Sequence, residues 1–129
     1  MEQLFAIFID EHVKINNLIN EIINENNSLN RRNSLKKQLY LLLKKHFDEE
    51  ELLYKKYRFE IQNVIMTLQR MYKEHEFLIT KMNDADTNFH ELYKFLKIHE
   101  HIEEKVLYPE LARSVSSEDI SSVMRVVVG

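Results

Sequence analysis

The amino-acid sequence predicts an all-α protein: an up-down-up-down four-helix bundle with a short C-terminal fifth helix. Three observations carry this expectation. Turn formers are nearly absent, with one Gly and one Pro in 129 residues, whereas an all-β chain needs them at every hairpin. Apolar side chains recur three and four positions apart through four long segments, the period of a helix with one buried face. Clusters of Asn, Asp and Ser, which satisfy backbone groups locally and favour turns and caps, punctuate the chain between most of these segments.

The first segment runs from Glu2 to Glu25 and places Leu4, Phe5, Phe8, Ile15, Leu18, Ile19 and Ile22 on one side. Asn26, Asn27, Ser28 and Asn30 then form the most polar stretch of the early chain. The second segment, Arg32 to Tyr57, offers Leu35, Leu39, Leu42, Leu43, Phe47 and Leu53 to a core. The third begins near Glu60 and ends near Met82, through Ile61, Val64, Ile65, Leu68, Met71 and Leu78; no Gly, Pro or Asn cluster marks where it starts. Asn83, Asp84 and Asp86 precede the fourth segment, Asp86 to Tyr108. Pro109 lacks a backbone N–H and is expected to kink or restart the chain. Ser116, with Asp119 three residues on, has the form of a helix start, so a fifth helix ending near Val128 follows. Helices of 22–26 residues are about 35 Å long at 1.5 Å per residue, and short connections fold them back on one another.

Composition narrows the function. The length suits a single domain, residues 1–129. Apolar residues make up 44% and charged residues 30%, with a net charge of −3. No basic block or stripe supports nucleic-acid binding, and no apolar run approaches the ~20 residues that span a bilayer. Met1 to Asp10 is apolar but carries Glu2 and Asp10 and no basic n-region, so it reads as helix and not as a signal peptide. The absence of cysteine removes disulfides, thiolate metal ligands and thiol redox chemistry. A cytoplasmic setting is the simplest expectation.

The six histidines are the informative residues. Two begin the same short pattern: His46-Phe47-Asp48-Glu49-Glu50-Glu51, followed by Leu53-Tyr54, and His99-Glu100-His101-Ile102-Glu103-Glu104, followed by Leu107-Tyr108-Pro109. His46/Glu50 and His99/Glu103 are each spaced i,i+4, which stacks an imidazole and a carboxylate on one helix face. His12 and His75 supply one histidine each from the first and third segments.

Antiparallel neighbours bring residues to one level when their turn lies midway between them in sequence. Taking the paired motifs at their centres, 48 and 101, the midpoints with 12 and 75 fall at 30, about 61 and 88. The first lies in the Asn/Ser stretch, the second at the unmarked junction, and the third just past Asn83 to Asp86. His12, His46, Glu50, His75, His99 and Glu103 can therefore share one layer. Four imidazoles and two carboxylates suit a first-row metal that accepts nitrogen and oxygen, with iron the leading candidate for two adjacent ions. If both Glu bridge and an oxo or hydroxo group joins them, each ion keeps one open octahedral position.

Bland readings stand beside this one. A lone helical histidine is more often a surface or satisfied core residue than a ligand, and His-x-x-x-Glu is common as an exposed pair. Runs such as Asp48 to Glu51 are usually solvated. Glu104 rivals Glu103 as a bridge, and Glu49 and Glu51 rival Glu50 more weakly. His90 lies near the start of the fourth segment and His101 is rotated about 200° from His99, so both read as non-ligands. A ferritin-type site needs Glu-x-x-His on two helices, a pattern this sequence lacks.

On these residues the chain resembles the hemerythrin-like family, also called the hemerythrin HHE cation-binding domain. The resemblance rests on His12, His46-Phe47-x-x-Glu50-Glu51, Glu74-His75 and His99-x-x-x-Glu103-Glu104-x-x-Leu107-Tyr108-Pro109, and extends over essentially the whole chain. It implies a four-helix bundle around two iron ions with an oxo or hydroxo bridge, and a small partner: dioxygen, nitric oxide or peroxide. Oxygen-carrying members use a second histidine one turn after the first on the third helix, where this chain has Ile79, with Met71 on the preceding turn. The sequence is thus similar to the four-His, two-Glu branch, which includes iron-centre repair proteins and iron-sensing domains. Repair proteins of that branch usually add a cysteine-containing N-terminal domain, which this sequence does not show. Beyond the metal layer no separate general acid or nucleophile marks an enzyme.

Overall fold

The computed structural model describes residues 2–24, 26–57 and 59–129. Its elements are α1 (Glu2–Ile23), α2 (Leu29–Tyr57), a 3-10 turn (Gln62–Val64), α3 (Ile65–Met82), α4 (Phe89–Ile102), a π turn (Glu103–Leu107), α5 (Tyr108–Ser114) and α6 (Ser117–Val128). No strand occurs among the described residues. No helix is long and apolar enough to cross a membrane, again among the described residues.

Local chemistry sets most boundaries. Glu25, the expected end of the first segment, lies outside the described residues; α1 is described to Ile23. Ser28 Oγ accepts from Arg31 N–H at 3.1 Å, so α2 starts at Leu29, three residues before the expected Arg32. A side-chain oxygen that satisfies an early helical N–H is the usual N-cap. The third helix begins later than expected. Ile61 is extended, the chain makes a 3-10 turn over Gln62–Val64, and α3 opens at Ile65 without a side-chain cap. Residues with no capping group left that start unmarked in the sequence. Asn88 accepts from His90 and Glu91 N–H, which places the start of α4 at Phe89 and not at Asp86. Ser116 Oγ accepts from Asp119 N–H at 3.2 Å, and α6 runs to Val128 as expected.

At Pro109 the chain restarts, one of the two outcomes expected. The chain passes from α4 through the π turn into α5, with Pro109 in the first turn of α5, the helix position where Pro is best tolerated. The Tyr108 N–H reaches back five residues to the Glu103 carbonyl. A π turn of this kind carries one extra residue per turn and rotates everything beyond it. Tyr108 is therefore brought onto the face of Glu103, where regular α geometry would turn it about 140° away.

Helix α1 packs on α2, α4 and α5; α2 on α1, α3 and α6; and α3 on α2 and α4. Cross-contacts give directions. Glu11 meets His46 while Glu21 meets Arg31, so α1 and α2 run antiparallel. Glu74 meets His99 while Phe77 meets Phe95, which makes α3 and α4 antiparallel too.

Two apolar cores fill the interior. One gathers Leu4, Phe8, Leu53, Leu68, Leu107 and Leu111, with Ile120 and Val123 of α6 closing it. The other gathers Ile15, Ile19, Leu39, Leu43, Leu78 and Leu96. Along each of the first four helices the candidate ligands fall between them: His12 between Phe8 and Ile15, His46 and Glu50 between Leu43 and Leu53, His75 between Met71 and Leu78, and His99 and Glu103 between Leu96 and Leu107. A polar layer thus divides an otherwise apolar interior.

Candidate metal centre

His46, Glu50, His99 and Glu103 are at most 1% exposed, and His12 and His75 are 3% and 2% exposed. They form two tetrads, His12/His46/Glu50/Glu103 and Glu50/His75/His99/Glu103, in each of which the ligand atoms lie within 4.8 Å of one another. The tetrads share both carboxylates. Glu50 and Glu103 thus stand between two pairs of histidines, one pair from α1 and α2, the other from α3 and α4.

All four histidines present Nε2 inward. His46 Nε2 lies 3.2 Å from Glu50 Oε1, His99 Nε2 3.2 Å from Glu103 Oε1, His12 Nε2 3.3 Å from Glu103 Oε1 and His75 Nε2 3.4 Å from Glu50 Oε1. These approaches are close, yet Nε2 of His46, His75 and His99 and Oε1 of Glu50 and Glu103 make no hydrogen bond among the described residues. Buried polar atoms are almost always paired, and five unpaired ones in a single layer call for an additional partner. Two ligands bound about 2.1 Å from a first-row cation at right angles lie about 3 Å apart, close to the spacing observed. The donor set therefore fits a pair of cations.

The outward nitrogens are held by carboxylates in a closed ring. Glu11 of α1 lies 2.8 Å from His46 Nδ1 of α2, and Glu51 of α2 lies 2.9 Å from His75 Nδ1 of α3. Glu74 of α3 lies 2.8 Å from His99 Nδ1 of α4, and Glu104 of the π turn lies 2.8 Å from His12 Nδ1 of α1. An ionised carboxylate can only accept, so each Nδ1 carries the proton. Where Nε2 is free of its own proton, its lone pair faces inward. Carboxylates in this position orient metal-binding histidines and raise their basicity.

Two tyrosines complete the layer. The Tyr54 hydroxyl donates to Glu103 Oε2 at 2.7 Å and to Glu50 Oε2 at 3.0 Å. The Tyr108 hydroxyl donates to Glu50 Oε2 and lies 3.4 Å from His12 Nε2. Burial first, then the charges of Glu103 and Glu50, hold both phenols well above their usual range, so they stay protonated donors. Phe47 stacks on the His75 ring with centroids 3.8 Å apart.

Electrostatics show how the layer balances its charge. Burial alone would lower the His12 pKa, but the close approach of Glu103, the hydrogen bond to Glu104 and the charge of Glu50 outweigh it and raise it to about 10. Burial also opposes protonation of His46, and Glu50 and Glu11 overcome it, raising it to about 9. Burial and the mutual repulsion of Glu50 and Glu103 push the Glu50 carboxyl up, and the surrounding imidazoles bring it down below its ordinary value. Glu103, opposed by burial and drawn down chiefly by His99, ends well below the carboxylate range. Protons on the histidines and cations between them are thus alternative ways to neutralise the same buried carboxylates.

The six residues singled out in the sequence are the six that converge. Glu104 and Glu51, considered there as rival bridges, instead hold His12 and His75 from outside. Glu49 faces Lys45 at 2.7 Å. His90 and His101 are exposed and belong to neither tetrad. Sequence reasoning missed the roles of Glu11 and Glu74 and of both phenols. A signal existed, since every outer carboxylate is adjacent in sequence to an inner residue: 11/12, 50/51, 74/75 and 103/104. One residue along a helix is a turn of about 100°, which aims that side chain at the next helix. No family model, curated protein or solved structure matches the chain.

Proposed function

We propose that the protein is a non-haem di-iron protein of the hemerythrin-like kind, with its first four helices arranged as an up-down-up-down bundle. It binds or reacts with dioxygen, nitric oxide or peroxide. His12 and His46 would hold one ion, His75 and His99 the other, and Glu50 and Glu103 would bridge the two. The observation that carries this reading is the set of inward Nε2 atoms around two shared, buried carboxylates. Mixed imidazole and carboxylate donors accommodate iron, and bound iron supplies redox chemistry and open positions for a small ligand. The chain's own part is to orient the imidazoles through Nδ1, keep the site dry between two apolar cores, and hold protons at the Tyr54 and Tyr108 hydroxyls beside the carboxylates.

Metal analysis of the purified chain tests the reading. Two irons per chain with near-ultraviolet charge-transfer absorption are expected, and both should disappear in His46→Ala/Glu50→Ala. A wild-type chain that takes up no iron, or a double variant that keeps two, would defeat it. A second reading, an iron-handling or iron-sensing protein, is favoured by one observation: two of the outer carboxylates, Glu51 and Glu104, are partly exposed.

A further inference from the structure

The ring of outer carboxylates is not uniform. Glu11 is tied at both oxygens, Oε1 to His46 and Oε2 to the Lys45 ammonium at 3.2 Å. Glu74 is tied the same way, Oε1 to His99 and Oε2 to the Arg70 guanidinium at 2.7 Å. Glu51 and Glu104 differ. Each meets its histidine through Oε2, and among the described residues neither has a Lys or Arg within 4.0 Å. Their side chains are 24% and 29% exposed, against 8% and 12% for Glu11 and Glu74.

A cavity lies behind each of the two loosely held histidines. One of about 230 Å³ opens between α1 and α4 and is lined by His12 and Glu104, with Asn16, Lys97 and Glu100. The other, about 420 Å³, opens between α2 and α3 and is lined by His75 and Glu51, with Glu76 and the Lys44–Asp48 pair. Neither cavity is lined by His46 or His99. Glu100, only 3% exposed, has its Oε2 hydrogen-bonded to no group among the described residues, which puts an oxygen suited to a cation in the wall of the first cavity.

A carboxylate tied at both oxygens cannot rotate without breaking an ion pair, so it keeps its imidazole in place. One tied only to the imidazole can turn outward and release the ring towards the cavity. Each tetrad contains one histidine of each kind: His12 with His46, and His75 with His99. We infer that His12 and His75 are the exchangeable ligands, and that divalent cations reach and leave the layer past them through these two cavities, while His46 and His99 are fixed anchors. The inference rests on the di-metal reading and adds how the centre is filled and emptied.

The full chain, loaded with ferrous iron and challenged with excess ferrozine, provides one test. Val13, 52% exposed, lines the α1–α4 cavity, and Thr80, also exposed, lines the α2–α3 cavity. Val13→Lys/Thr80→Lys adds a second ammonium to each cavity, besides Lys97 and Lys44, and close to the uncapped carboxylates. Iron release should slow roughly tenfold, with iron content and Tm unchanged. Lys45→Gln/Arg70→Gln, which frees the anchors, should speed release by a similar factor. Unchanged release in the Val13/Thr80 variant would overturn the inference. A readout without iron is Nδ1–H exchange by NMR in the metal-free chain, where His12 and His75 should exchange roughly tenfold faster than His46 and His99. Equal exchange in a chain that still binds two irons overturns this inference alone. A wild-type chain that binds no iron overturns the di-metal reading and this inference with it.

Discussion

Glu104 accepts the Nδ1 proton of His12 at 2.8 Å across 92 positions of sequence, and in doing so closes a ring that passes once through every helix of the metal layer. Each helix supplies an inward ligand and the outer support of its neighbour's ligand. The site is thereby bound up with the packing of all four helices, and removing one outer carboxylate acts on a histidine of a different helix.

Glu74→Ala is therefore expected to weaken metal binding through His99 although Glu74 touches no metal position. Losing such a support lowers affinity by about 10–100-fold. Chelator competition titrations on the variant and wild type measure it. Equal affinities would mean that the ring orients nothing.

Tyr54→Phe separates the metal-free and loaded states. In the metal-free chain the hydroxyl donates to two buried carboxylates, and its removal should cost about 1–3 kcal/mol of stability. In the loaded chain, cations neutralise the same carboxylates and the loss should be smaller. Urea unfolding of both forms checks this, and identical losses would contradict it.

Opposite pH trends are expected for stability and for metal affinity. The folded-state pKa of His12 is raised to about 10 and that of His46 to about 9, against an unfolded value of about 6.5. Groups raised in this way stabilise the metal-free fold fully below about pH 6.5 and lose that contribution as pH rises through 9 and 10. The metal-free chain should therefore weaken from pH 7 to 10. Metal binding must displace those protons, so apparent affinity should rise over the same interval, by about a decade per pH unit for each proton released. Parallel unfolding and binding titrations at pH 7, 8 and 9 decide it, and curves that rise together would refute the assignment.

The docking of α6 has its own acid limit. Asp119 meets Lys56, Tyr57 and Ser116, which lower its pKa to about 2. A depressed carboxylate contributes above its unfolded pKa of about 3.9 and loses its effect as pH falls towards 2. Amide exchange in α6 should remain slow at pH 5 and accelerate between pH 4 and 2. Ser116→Ala removes the N-cap and should destabilise the chain by about 1 kcal/mol at any pH in between. Exchange in α6 that ignores both changes would show that the helix is held by its apolar face alone.

Much of this protein was legible before any coordinates. Helical periodicity and the scarcity of Gly and Pro determined an all-helical chain, because a period of 3.6 is a property of local sequence. The i,i+4 spacing of His46/Glu50 and His99/Glu103 determined which side chains share a face, and equal arm lengths about the turns placed His12 and His75 at the same level. What a one-dimensional pattern does not contain is the rotation of each helix about its axis against its neighbours. That rotation decided that Glu103 and Glu50 point inward while Glu104 and Glu51, one residue on, turn towards the adjacent helix. It also decided that Glu11 serves His46 and not the adjacent His12. The π turn belongs to the same class: Pro109 is visible in the sequence as a place where the chain kinks or restarts, but the one extra residue per turn by which it does so is not. That extra residue brings the Tyr108 hydroxyl to Glu50, because the phase of everything after Glu103 is set by which backbone bonds the buried chain can still make.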